Sequence, residues 1–211
     1  MKRPVRMILM LVATLMVLAA GVLILSQPNL LERISITSAW LCMFYMTVAL
    51  LIGPLRRARG EVVPANIYIR RDVGIWAALL GLLHFYTGNV VAMNEVYIDT
   101  FVRGPFAPLT EMLRNQLFFW GSITGLIIAI FFLVLLAISS DWAIRRLKLS
   151  RWKKIQQISH VALWLTVVHG IAFQLLESRF IPLVSMVVMA IAIFLVQLRG
   201  RRRNKRKLQA Y

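Results

Sequence analysis

Apolar residues fall into six long blocks along the chain, and polar residues gather between them. The blocks run over 7–25, 34–52, 73–93, 117–138, 155–176 and 180–198. Each approaches the roughly 20 residues that a helix needs to cross a bilayer, and a helix satisfies its own backbone in lipid. The pattern predicts an all-α polytopic membrane bundle of six transmembrane helices, with residues 1–211 as a single domain. The fifth block is the most polar at its start, where Gln156, Gln157, Ser159 and His160 occupy the first turns. The first block follows Lys2, Arg3 and Arg6, as a signal peptide would. Its apolar core of 19 residues exceeds the roughly 7–15 of a signal, so a retained helix is expected.

Charge orients the bundle. Counting flanks alternately, one side holds Lys2, Arg3 and Arg6, then "PLRRARG" and "YIRRD", then "RRLKLSRWKK", then the tail "RGRRRNKRK". That side carries 21 of the 25 basic residues, while the other keeps Arg33, Arg103, Arg114 and Arg179 and five of the eight acids. Such asymmetry predicts that both termini are cytoplasmic. A net charge of +17 in a soluble chain would suggest nucleic acid. Here every flank on one side is basic, so residues 199–211 read as a basic cytoplasmic tail beside anionic membrane lipid, with no nucleic-acid partner. Hydrophobic residues make up 60% of the chain, above the roughly 45–50% of soluble domains. The lone Cys42 forms neither an intrachain disulfide nor a cysteine cluster. The longest connection on the less basic side, 94–115, holds Gly104, Pro105 and Pro108. A short interfacial helix after Pro108 is one expectation for it, and cover for a cofactor edge or a docking partner is another.

The chain has three histidines, His84, His160 and His169, all within the third and fifth blocks. Ionisable groups inside spans are costly and often functional, and neutral imidazole binds metals and haem iron. His84 lies 12 residues beyond Asp72 and His169 lies 15 beyond Lys154. At 1.5 Å per residue these are depths of roughly 18 and 22 Å from the basic side. Two imidazoles at one level suit the two faces of one haem iron; hydrogen bonding between helices is the plainer role. His160 is roughly 9 Å deep. It sits about 180° round the helix from His169, so the two serve different places. Gly81, Gly88 and Gly170 flank the pair and permit close packing.

Three segments carry a family resemblance: "ALLIGPLRRARG", "IRRDVGIWAALLGLLHFYTGN" and "ISSDWAIRRLKLSRWKKIQQISHVALWLTVVHG". Over residues 34–173 the chain resembles the ferric-reductase-like transmembrane family. The resemblance implies haem b held by histidines of the third and fifth helices, with His84 and His169 as axial ligands to haem iron. It implies a bacterial inner-membrane protein passing electrons from a quinone or a cytoplasmic reductase to a periplasmic acceptor. Such a chain is at most the electron-transfer subunit of an oxidoreductase, with a periplasmic or membrane protein partner and any flavin supplied by a partner. One position departs from the pattern. Gln156 stands thirteen residues before His169, where the family has a second fifth-helix histidine. Glutamine is not a usual haem-iron ligand. His160, within about 40° of Gln156 on an ideal helix, is either a substitute or incidental. Arg70, 14 residues before His84, stands where a haem propionate would be paired. One haem is therefore expected, a second is in question, and the departure also motivates a haem-poor accessory or assembly subunit as the alternative.

Overall fold

A computed structural model describes residues 3–59, 67–95 and 109–209. Every regular element among them is an α-helix: α1 (Arg3–Ile24), α2 (Leu30–Arg59), α3 (Ile67–Glu95), α4 (Leu109–Ile138), α5 (Asp141–Gln156), α6 (Ile158–Leu176) and α7 (Phe180–Gln209). Six segments are long and apolar enough to span a membrane. They correspond to the six sequence blocks, the fifth running over 150–176 through the end of α5 and all of α6.

The packing is inverted relative to a soluble domain. Large apolar side chains such as Ile8, Met16, Ile130, Leu133, Ile181 and Val188 point outward, while Ser35, Thr37, Ser38, Thr47 and Asp72 are buried. In lipid this arrangement is favourable, because helix association there rests on close packing and hydrogen bonds rather than on apolar burial. α2 is the central element and contacts α1, α3, α6 and α7. Its Leu41, Cys42, Met46 and Leu50 pack with Ala77, Ala78 and Leu80 of α3 and with Phe132, Leu163 and Ile193. Its buried hydroxyls bond back to carbonyls of their own helix: Thr37 to Arg33 at 2.8 Å, Ser38 to Ser35 at 3.0 Å and Thr47 to Met43 at 2.7 Å. No hydroxyl among these is buried without a partner.

Charged groups close the two ends of the bundle. At one end Arg3 and Arg6 of α1 both donate to Asp72 of α3, and Arg71 donates to Asp141 of α5. The buried indole of Trp152 donates from Nε1 to the Ile138 carbonyl at 2.9 Å, satisfying an otherwise orphaned acceptor at the last turn of α4. Ser140 caps α5, its Oγ accepting from the Ala143 amide at 3.1 Å. At the other end Arg179 bridges Glu32 at 3.1 Å and Glu177 at 3.6 Å.

One feature differs from the sequence expectation, and two more were not foreseen in it. The helix after Pro108 is not a separate interfacial piece: α4 runs unbroken from Leu109 to Ile138, because "LTEMLRNQL" contains no glycine or proline to stop it. The connection at 96–108 lies outside the described residues. Residues 199–209 of the basic tail continue α7 as helix, and at Gly200 a Cβ would stand 3.0 Å from the Pro54 carbonyl oxygen, so α2 and α7 meet backbone to backbone there. Finally, Arg71 and Asp72, which in the sequence are part of a charged flank, are enclosed, at 2% and 0% exposed.

Candidate functional site

His84 lies midway along α3 and His169 in the second half of α6. These helices enter from the same charged end, so similar residue counts bring the imidazoles to one level. Their ring centroids are 6.0 Å apart and their planes cross at 79°.

Each imidazole is held by main chain. His84 Nδ1 lies 2.9 Å from the Ser35 carbonyl oxygen and 3.0 Å from its hydroxyl. His169 Nδ1 lies 2.8 Å from the Gly121 carbonyl oxygen. A carbonyl only accepts, so both contacts assign the proton to Nδ1 and leave the Nε2 lone pair available. This is the arrangement by which proteins orient metal-binding histidines. Both carbonyls are shared acceptors: Ser38 Oγ also donates to that of Ser35 at 3.0 Å, and Thr124 Oγ1 to that of Gly121 at 2.7 Å.

α4 makes room for one ring. A Cβ on Gly125 would stand 2.9 Å from His169 Cε1 and 3.2 Å from Nδ1. Gly121 and Gly125 form a Gly-x-x-x-Gly step, which lets two helices approach closely. Phe173, one turn beyond His169 on α6, stacks obliquely on it at 4.9 Å between centroids.

Both histidines line a cavity of about 480 Å³ between α2, α3, α4 and α6. This volume falls in the range of small-molecule and cofactor sites. The wall includes Phe85, Phe118, Phe132 and Phe173, and one end carries Asn89, Gln174, Glu32, Glu177 and Arg179. Gln174 Oε1 is buried there without a partner among the described residues. An apolar chamber with two imidazoles in the middle and a polar rim suits a flat, largely apolar group that brings its own metal. Among the described residues no three His, Cys, Asp or Glu side chains converge on a bare ion.

The remaining candidate residues sit elsewhere. Arg70 and Gln156 line a second, much smaller cavity of about 60 Å³ near the charged end. His160 lines neither cavity; its Nδ1 stands 3.5 Å from Gln197 Nε2 of α7. The histidine pair was readable from residue counts. Its supports act through the main-chain carbonyls of Ser35 and Gly121, joined at His84 by the Ser35 hydroxyl, and a carbonyl leaves no side-chain signature. Gly125 did leave one, in the Gly-x-x-x-Gly spacing of "GSITG".

Comparison of the chain with known protein families, with characterised proteins and with solved structures finds no match.

Proposed function

We propose that this chain is a membrane electron carrier that holds one haem b between His84 and His169. The observation that carries the reading is the imidazole pair across the larger cavity, each ring fixed through Nδ1. His84 and His169, with ring centroids 6.0 Å apart, would hold the iron through their Nε2 atoms. The cavity volume and its aromatic wall fit the macrocycle. Haem b supplies a reversible one-electron couple when bound. The protein's part is to supply two neutral imidazoles, orient them through Ser35 and Gly121, and exclude water with the phenylalanine wall.

The resemblance to the ferric-reductase-like family, and within it to the haem-binding membrane subunit of the bacterial periplasmic methionine sulfoxide reductase system, supports the same reading. On it the chain is a multi-pass protein of the bacterial inner membrane with both termini cytoplasmic. Electrons come from a quinone or a cytoplasmic reductase and leave for a periplasmic partner at the rim around Arg179. We place one haem and no second, because Arg70 and Gln156 line a cavity of only about 60 Å³ that His160 does not line.

The test is a reduced-minus-oxidised absorption spectrum of the purified protein with a pyridine haemochrome count. One haem per chain is expected, and His84→Ala and His169→Ala should each remove the α-band. Protein purified without stripping that carries no haem would favour the accessory-subunit reading, which the glutamine at position 156 motivates.

A further inference from the structure

At the charged end of the bundle, arginines and carboxylates of α1, α3 and α5 meet among the described residues. Arg3, Arg6 and Arg71 share Asp72 and Asp141 between them. Arg71 is the most deeply placed of the three guanidinium groups, with a side chain 1% exposed. Its Nη1 donates to Asp141, and the Tyr68 ring lies 5.5 Å from its Cζ. Its Nε and Nη2 are buried with no partner among the described residues. Burying N–H groups of a charged side chain unpaired is unfavourable, so a buried fork of this kind calls for an acceptor.

The space for one is beside it. Arg71 lines the 60 Å³ cavity together with Arg70, Gly74, Ser139, Gln156 and Ser159, and no carboxylate lines it among the described residues. Ser139 and Ser159 donate their hydroxyls to the Leu135 and Gln156 carbonyls, both at 2.6 Å. With those protons committed, the N–H groups left for a ligand at this cavity are Nε and Nη2 of Arg71. A Cβ on Gly74 would meet nothing within 4 Å, so α3 leaves this side open. At roughly 10–15 Å³ per water the cavity holds about four waters, close to the size of a tetrahedral oxyanion. A guanidinium fork matches phosphate geometry, and basic pockets between spans on the cytoplasmic side suit phospholipid headgroups.

We propose that Arg71, with Arg70 and Gln156 beside it, forms a binding site for a phosphate group, either the phosphodiester of an anionic lipid or free inorganic phosphate. This site is separate from the histidine cavity and independent of what that cavity holds.

The test uses the full chain in nanodiscs, with Arg71→Lys and Gly74→Leu as variants. Arg71→Lys keeps a cation beside Asp141 and removes the fork; Gly74→Leu leaves the ion pairs intact and fills the open side. If the source is lipid, native mass spectrometry after phosphatidylglycerol-containing discs are exchanged for detergent shows one retained phosphatidylglycerol per chain, reduced at least tenfold in both variants. If the source is free phosphate, inorganic phosphate raises the melting temperature saturably in pure phosphatidylcholine discs, relative to chloride at equal ionic strength, and both variants lose the shift. Should Arg71→Lys fail to fold, Gly74→Leu alone decides. Retention or a shift that both variants leave undiminished, or neither effect in the wild type, overturns the proposal.

Discussion

His84 and His169 both line the larger cavity with ring centroids 6.0 Å apart, and each is tethered at Nδ1 by a carbonyl of a different helix, Ser35 of α2 and Gly121 of α4. Four helices therefore set one distance. The distance depends on side chains that are absent as much as on those present, because a Cβ on Gly125 would press on His169 at 2.9 Å. If the pair holds haem as proposed, Gly125→Leu should push the imidazole off its tether and lower haem content several-fold. Gly125→Ala should keep the haem and broaden or shift its reduced α-band. Haemochrome counts and low-temperature spectra of the two variants check this. Full haem content in Gly125→Leu would mean that the ring has freedom the packing denies it.

The tether of His84 is double, to the Ser35 carbonyl and hydroxyl. Ser35→Ala removes the hydroxyl and leaves the carbonyl. Haem content is expected to stay at the wild-type level, while the midpoint potential moves, since a hydrogen bond to the distal nitrogen tunes ligand basicity. A redox titration reads both. Loss of haem in this variant would show the hydroxyl, not the carbonyl, to be the support.

Six spans were legible because lipid imposes length and apolarity on each, and the histidine level was legible because helix rise is constant. The burial of Arg71 and Asp72 was not. In the sequence they are two more charges in a basic flank, and only the approach of α1 and α5 turns them into an enclosed ion cluster. The position of His160 was ambiguous for a related reason. A helical wheel gives its direction relative to Gln156, yet not which neighbour occupies that direction; here it is Gln197 of α7.

The ion cluster predicts an acid-sensitive stability. The Arg71 hydrogen bond and charge, with Arg3 and Arg145 adding to them, hold the Asp141 carboxyl below its ordinary value of 3.8. A depressed carboxyl pKa contributes stability that is fully present above the unfolded value and is lost as pH falls through the folded one. Melting temperature in detergent should therefore be flat in Asp141 ionisation above about pH 5 and decline below about pH 4. Asp141→Asn should lower the plateau and flatten the acid limb. An acid limb of unchanged steepness in that variant would assign the titration to another group.

Trp152 joins α5 to the end of α4 through one hydrogen bond and nearly complete burial, at 1% exposure. The two contributions separate by substitution. Trp152→Phe keeps most of the packing and orphans the Ile138 carbonyl, which should cost about 1 kcal/mol. Trp152→Ala also opens a cavity and should cost about 3–5 kcal/mol. Denaturation midpoints of the purified variants give the comparison. Equal losses would assign the contribution to the hydrogen bond alone.

Lys148 carries the least favourable backbone of the basic segment before the fifth span. Its φ of 58° and ψ of 147° interrupt α5, and that combination lies in a region glycine adopts far more readily than residues with a Cβ. The interruption re-aims the second part of α5 so that Trp152 reaches the Ile138 carbonyl. Lys148→Gly should preserve that turn while relieving strain of about 1 kcal/mol, and so raise the melting temperature. Lys148→Val, β-branched at the same angles, should lower it. If glycine destabilises and valine is neutral, the segment is a continuous helix in solution, and Trp152 then lacks the approach that its hydrogen bond requires.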